Sequence, residues 1–313
     1  MDLSAVVVSW NVRELLDGCL ASLYASLEGS GISFEVVVVD NASTDGSADL
    51  VRKRFPQAEL LANAENRGYA RGSNQGLAVA HGRYAVVLNP DTLVRGDALG
   101  TMLQFMDETR SAGMVGPRLV YSDGQFQHSA FDFPNLAQVL MDFFPLHGRL
   151  LESRLNGRYP RSLYTAGQPF LVGHPLGACM MVRRQVLQTV GWMDESFFMY
   201  CEELDWAMRI QRAGWEIYCV PTAELVHYGA QSTQQVRHKM FVALWRSRFR
   251  FFAKHYSARF NRVVRWVVRL GLWAGEGRAR GQARAGQLSA ADLAAQLDMY
   301  RQVRELSRKR IAA

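Results

Sequence analysis

Four consecutive valines, Val36 to Val39, end on Asp40, and a polar run from Asn41 to Ser47 follows at once. An unbroken β-branched run suits a parallel strand covered on both faces, so this stretch predicts a buried strand whose carboxyl end carries a carboxylate. The same rhythm recurs along the first half of the chain. Leu3 to Trp10 reads as a short strand that Asn11 stops, and Leu15, Leu16, Cys19, Leu20 and Leu23 then share one helical face. Beyond Asp40 the pattern predicts a helix from about Ser47 to Phe55, a strand over Glu59 to Ala62, a Gly-rich segment from Asn66 to Gly76 and a helix from Gln75 to His81. A second fully apolar strand, Tyr84 to Leu88, closes on Asn89, Pro90 and Asp91; a helix beyond Gly96 through Met106 and an apolar segment from Met114 to Tyr121 come next. Alternating strands and helices predict an α/β fold with a doubly wound, mostly parallel sheet. Ligands of such sheets bind beyond the carboxyl ends of the strands.

From Ser122 to Pro175 the rhythm is lost. Pro134, Pro145, Pro160, Pro169 and Pro175 interrupt the stretch, yet aromatic residues are scattered through it, which predicts ordered loops near a binding site. The uncharged run between Arg161 and Arg183 is broken by Pro169, Gly173, His174, Pro175 and Gly177, so it is not read as a membrane span. Later, Phe241 to Trp273 interleaves apolar residues with Arg and Lys. Its first half, to Tyr256, reads as ordinary core packed on the α/β domain. In its second half Phe260, Val263, Val264, Val267 and Val268 fall on one helical face, with Arg262, Arg265 and Arg269 on another. That face is expected to lie on an anionic membrane surface, with a dimerisation helix as the alternative. A flexible linker from Arg278 to Gly286 and a last amphipathic helix from Ser289 to Arg310 complete the reading. The expected domains are therefore 1–236 and a basic helical extension, 237–313.

Charge sharpens this division. The 313 residues carry a net charge of +7, but up to Val236 there are 18 Lys and Arg against 25 Asp and Glu, whereas the remainder holds 18 basic and only 4 acidic residues. An acidic body thus precedes a strongly basic tail. No recognised nucleic-acid-binding motif accompanies the charge, so no nucleic-acid partner is expected. Cys19, Cys179, Cys201 and Cys219 form no CxxC pair, which indicates neither a structural zinc nor a disulfide framework and favours a cytoplasmic setting. The start of the chain lacks a basic segment followed by a long apolar one, so no signal peptide is expected.

Three groups of residues carry candidate chemistry. Asp40 sits where a ligand would bind, although the same carboxylate would also cap a helix beginning near Ser43. Leu88-Asn89-Pro90-Asp91-Thr92 repeats the arrangement of an acid at a strand end. It resembles the DxD element that holds a divalent cation against a diphosphate, with Asn89 in place of the first acid; a turn started by Asn-Pro-Asp is the plainer alternative. The third group, Gly191 to Trp206, sets Asp194, Glu195, Glu202, Glu203 and Asp205 among Phe, Met, Tyr, Leu and Trp. An apolar wall raises a carboxylate's pKa toward the range useful for a general base, while acids in a first helical turn also favour the helix dipole.

Together, VVVVDNASTDGS, Asn66-Arg67-Gly68-Tyr69-Ala70 with Gly72 and Asn74, LNPDT, Gly177-Ala178 and GWMDESFFMYCEELDW resemble the family 2 glycosyltransferases, in particular the bacterial rhamnosyltransferase-like group. The resemblance spans about the first 230 residues in the expected order. It implies a GT-A fold and inverting transfer from a nucleoside diphosphate sugar, dTDP- or UDP-linked, to a lipid-linked or glycan acceptor, with Mg²⁺ or Mn²⁺ as cofactor. It also implies that Asp40, Asn11 and Asn41 line the nucleotide pocket and that the turn of Asn66, Arg67 and Gly68, with Asn74 beyond it, lies beside the donor, as does Asn89. Arg67 and Arg71 are suited to phosphate contact, or to capping and surface roles. By the same resemblance Asp91 binds the metal and diphosphate, His227 completes the metal site or is a hydrogen-bonded strand-end histidine, and Glu203 is the base, with Glu202 and Asp205 as alternatives. The setting implied is peripheral, on the inner face of the cell membrane, and a homodimer stays open. A non-catalytic nucleotide-sugar or membrane scaffold is the competing reading, motivated by Asn89. An NAD-dependent oxidoreductase is disfavoured, since no GxGxxG follows the first strand.

Overall fold

The computed structural model describes residues 1–144, 147–229 and 237–309. It divides into two compact units. One comprises Met1–Asp132, Tyr159–Phe198 and the chain from Glu202 through the last strand; the other comprises Phe133–Arg158, Met199–Cys201 and the C-terminal helices.

The first unit is built on strands β1 (Leu3–Ser9), β2 (Phe34–Asp40), β3 (Glu59–Ala62), β4 (Tyr84–Leu88), β5 (Thr92–Val94), β6 (Ala112–Val120), β7 (Phe126–Gln127), β8 (Ala130–Phe131), β9 (Phe170–Leu171), β10 (His174–Pro175), β11 (Cys179–Arg183) and β12 (Glu216–His227). The main sheet runs β3-β2-β1-β4-β11-β6-β12-β5. Its first four strands are parallel, β11 is antiparallel to both neighbours, and β12 is parallel to β6. Every residue of β1 and β4 is buried, which is why β4 reads as an unbroken apolar run and β1 as one interrupted only by Ser4 before its closing Ser9. Register places Ser9 beside Asp40 and Asp40 beside Ala62, so the carboxyl ends of β1 to β3 finish level.

Helices cover both faces. Leu16, Leu20 and Leu23 of α1 (Arg13–Leu27) join Val36 and Val38 in one core, together with Leu99 and Met102 of the helix Ala98–Glu108. On the opposite face lies α3 (Tyr69–Val79), which follows α2 (Ser47–Arg54) in the chain. The helix expected from Gln75 to His81 is corrected here: it already begins at Tyr69, within the Gly-rich segment, and ends at Val79. Its glycines are contact points, not turn residues. A Cβ at Gly72 would lie 2.8 Å from Val8 Cγ1 and one at Gly76 2.3 Å from Val6 Cγ1, so only glycine lets α3 settle onto β1. The Ser122 to Pro175 stretch, read as loops, holds the short strands β7 to β10 and several short helices.

In the second unit, helix α5 (Leu136–Phe143) starts with a capping box between Asn135 and Gln138. Three long helices, α10 (Arg237–His255), α11 (Ala258–Arg284) and α12 (Ala290–Arg308), make up the rest; α6 (Gly148–Leu151) also belongs to it. Phe143 stacks on Trp245 with ring centroids 5.1 Å apart and fills the hollow left by Gly271, where a Cβ would meet its ring at 2.2 Å. Two expectations about α11 are corrected. The helix runs on to Arg284, through most of the linker expected from Arg278, because Ala279, Ala283 and the arginines are good helix formers. Val264, Val267 and Val268, expected on a lipid-facing side, are buried inside the unit; Val263 alone of the valines is exposed. No described helix is long and apolar enough to cross a membrane.

Candidate functional site

The level strand ends of the first unit set Ser9 beside Asp40. Among the described residues, Ser9 Oγ and Asp40 Oδ1 are both buried and lack a hydrogen-bond partner. The other carboxylate oxygen of Asp40 accepts from Ser43 N at 3.1 Å. The cap expected of Asp40 is corrected here: no helix begins near Ser43, since α2 starts at Ser47, and the carboxylate instead secures the loop through one oxygen. A buried, unsatisfied acceptor is costly and marks a place where a ligand N–H or O–H would bind favourably.

The neighbouring asparagines hold the loops in place. Asn11, at φ 52°, accepts from Thr44 N at 2.7 Å and ties the end of β1 to the loop after β2. Asn41 donates to Gly68 O at 3.1 Å and accepts from Asn63 Nδ2 at 2.9 Å, so its amide joins the ends of β2 and β3 to the start of α3. Asn66 accepts from Gly68 N at 2.9 Å. Arg67 lies 3.5 Å from Glu65 and Arg71 3.6 Å from Glu195, both partly exposed. Gly68 is obligatory on two counts: its φ is 84°, and a Cβ would sit 2.4 Å from Phe198 O. Gly68→Ala is expected to cost about 2 kcal/mol or more, combining left-handed strain with a backbone clash. Thermal and urea unfolding check this.

At the other end of the parallel run, Asn89 N donates to Ala178 O at 2.9 Å. Antiparallel pairing of β12 with β5 sets His227 beside Thr92, which brings His227 Nε2 to 3.4 Å from Asp91 Oδ1. Both side chains are buried, and His227 Nδ1 lies 3.2 Å from Gln127 Oε1. One carboxylate and one imidazole oriented by a neighbouring amide fit a cation whose shell is completed by phosphate oxygens and water. Among the described residues no group of three or more His, Cys, Asp or Glu could hold a metal by itself.

The acids of the third motif separate by environment. Helix α9 (Glu202–Arg212) carries all three candidates. Asp205 is fully buried, and Arg209 Nε donates to it at 2.8 Å while the same guanidinium reaches Val190 O and Trp192 O. Glu202 is 5% exposed. Burial, and after it the charge of Glu203, pushes its carboxyl well above the usual carboxylate range. Glu203 is half-buried and lies beside Gly177, where an added Cβ would come 3.6 Å from its Cγ. Tyr69 donates to Gly177 O at 3.1 Å, and its phenol is held protonated chiefly by burial and then by the two glutamates. Asn74, at the middle of α3, donates to Met193 O at 2.9 Å and to Glu195 at 3.1 Å and accepts from Met193 N. It anchors the acidic loop, with its amide turned to that loop.

Residues 4–191 match the model of the family described as glycosyl transferase family 2. The chain belongs to this family. An N-acetylglucosaminyl-diphospho-decaprenol L-rhamnosyltransferase of Mycobacterium tuberculosis (strain ATCC 25618 / H37Rv) is 29% identical over 85% of this chain and 89% of its own. The rhamnosyltransferase WbbL of Escherichia coli (strain K12) is 26% identical over 80% and 92%. Among solved structures, the mannosyltransferase PcManGT from Pyrobaculum calidifontis, in complex with GDP-Man and Mn²⁺, superposes with a TM-score of 0.57 at 20% identity, over 97% of this chain and 83% of that one. GalNAc-T7, solved with UDP, GalNAc and Mn²⁺, superposes with a TM-score of 0.54 at 15% identity, over 72% and 43%.

As a family 2 member the chain is a glycosyltransferase with a GT-A fold, and inverting transfer is typical of the family. The scaffold reading finds no support. Two residues of the glycosyl transferase family 2 domain went unassigned in the sequence. Ser9 is an ordinary strand residue until the register sets it beside Asp40. Tyr69 belongs to a quoted motif, but only the fold carries its hydroxyl 108 positions along the chain to Gly177.

Proposed function

We propose that the protein transfers a sugar, rhamnose from dTDP-rhamnose being the favoured case and a UDP-linked sugar the alternative, to a hydroxyl of a lipid-linked or polysaccharide acceptor with inversion at the anomeric carbon. The observation that carries the reading is the pair of adjacent glutamates at the start of α9, one buried and held neutral, the other half-buried beside Gly177. Two like charges so close favour a division in which one group keeps its proton and the other accepts one. Glu203 takes the acceptor hydroxyl's proton as that oxygen attacks the anomeric carbon; the bond to the nucleoside diphosphate breaks on the opposite side. Asp205 and Arg209 position the helix. Asp40 Oδ1 and Ser9 Oγ receive N–H and O–H groups of the base or ribose, with Asn11, Asn41, Asn66 and Gly68 shaping that pocket. Asp91 and His227, with Asn89 nearby, would hold Mg²⁺ or Mn²⁺, which when bound neutralises charge on the diphosphate leaving group.

The donor and acceptor assignments are supported by the printed names of the mycobacterial and E. coli relatives. A lipid-linked acceptor in turn places the protein on the inner face of the cell membrane as a peripheral protein. Purified protein supplied with Mn²⁺, a polyprenyl-diphospho-N-acetylglucosamine and a panel of nucleoside diphosphate sugars is expected to release the nucleoside diphosphate most rapidly from dTDP-rhamnose. Failure to turn over any donor in that panel would sink the proposal. Asp40→Asn keeps an acceptor for Ser43 N but loses the charge that receives the nucleotide. It is expected to weaken donor binding by about 1.5–3 kcal/mol, roughly 10- to 100-fold in KM, with kcat much less affected. Initial-rate kinetics at varied donor concentration check it.

A further inference from the structure

Helix α11 has two faces of different character. Val264, Val268, Gly271 and Leu272 are buried within the second unit. The opposite face presents Trp266 at 63% exposure and Trp273 at 73%, with Val263 and Leu270 exposed beside them. These four follow a spacing of three and four residues, which lines them along one side of the helix. At 100° per residue, Arg259, Arg262, Arg280 and Arg284 fall on the same outward arc, and all four are exposed. No acid shares that arc; Glu276 lies at its flank and is paired with Arg304.

An outward helix face of a water-soluble unit ordinarily carries polar residues of mixed charge. Here it carries tryptophan, aliphatic side chains and arginine only. The charge selects an anionic occupant. A second copy meeting this face about a two-fold axis would set arginine against arginine, which disfavours self-association through it. Tryptophan and arginine would also suit single-stranded nucleic acid, but exposed Val263 and Leu270 offer bases neither stacking nor hydrogen bonds and instead suit hydrocarbon.

We propose that the outward face of α11 seats the protein on an anionic bilayer, with Trp266 and Trp273 at the boundary between headgroups and acyl chains and the flanking arginines on lipid phosphates. Amphipathic rings favour that depth, and arginine stems reach past apolar surface to place their charge among the headgroups. The proposal rests on the membrane setting given under Proposed function and names the surface responsible for it.

The test is co-sedimentation of the full chain with vesicles of phosphatidylcholine alone and of phosphatidylcholine mixed with phosphatidylglycerol, at rising salt. Binding to the mixed vesicles, weakened by salt, is expected. Trp266→Ala with Trp273→Ala is expected to lower the partition coefficient by about tenfold or more, and Arg262→Gln with Arg280→Gln to remove most of the preference for phosphatidylglycerol. Should the tryptophan pair fail to fold, as judged by circular dichroism, Leu270→Glu is expected to give the same loss. The proposal is overturned if the wild-type chain ignores both vesicles, if the folded variants bind as it does, or if they change only the oligomeric state in sedimentation velocity. Tighter binding to a single-stranded oligonucleotide than to the vesicles also overturns it. Turnover of a water-soluble acceptor analogue is measured in parallel: vesicle binding without turnover rejects the transferase assignment alone, and turnover without vesicle binding rejects the membrane surface alone.

Discussion

Glu203→Gln is expected to lower kcat by roughly 100- to 10,000-fold, the range that a general base contributes, while donor KM and melting temperature stay close to wild type. The amide keeps the size of the side chain and its packing beside Gly177 but has no site for the acceptor's proton. Glu202→Gln should behave differently, because the buried Glu202 carboxyl is held neutral by its surroundings and by the charge of Glu203. Replacing it with a neutral isostere should affect kcat far less. Its signature is in stability: a carboxyl whose pKa is raised on folding favours the folded state fully below its ordinary value of 4.5, and that contribution is lost as pH climbs toward the raised folded value. Glu202→Gln is therefore expected to gain stability over wild type progressively as pH rises above the ordinary carboxylate range. Urea unfolding across pH, read together with single-turnover rates, separates the two glutamates. Equal losses of kcat in both variants would reject the division of roles proposed for them.

Asp91→Ala is expected to lower kcat/KM by about 3–4 kcal/mol, roughly 100- to 1,000-fold, because it removes the one carboxylate in the Asp91–His227 pair. Chelation of the wild-type protein should bring a loss of similar size, reversed by Mn²⁺. Asn89→Asp provides a test of opposite sign. Restoring a second acid two positions before Asp91 is expected to lower the Mn²⁺ concentration needed for half-maximal rate. Rates indifferent to chelation and to Asp91→Ala would remove the cation from the mechanism.

The parts of the fold legible in the sequence are those where one force dominates. Val36 to Val39 and Tyr84 to Leu88 are strands because nothing but burial on both faces accounts for their composition, and they lie where the pattern placed them. Where two forces compete, the pattern misleads. Gly72 and Gly76 make their segment Gly-rich and delay the predicted helix to Gln75, yet the close approach of α3 to Val6 and Val8 overrides their poor helix propensity. The phase of α11 was ambiguous because the helix is apolar on two sides: one stripe fills the interior of its unit and the other faces outward, and periodicity alone does not distinguish them. The site shows the same division. Asp40, Asp91 and the acids of α9 stand out as carboxylates in apolar surroundings, whereas Ser9 depends on strand register. The burial that sets Asp205 apart from Glu203 depends on where α9 docks.

The amide of Asn41 holds Gly68; the next residue, Tyr69, holds Gly177; and Gly177 lies beside Glu203. The proposed donor pocket and the seat of the proposed base thus share two consecutive residues. A substitution that shifts Gly68 or Tyr69 is therefore expected to disturb nucleotide binding and the proposed base together, through one hydrogen-bonded path.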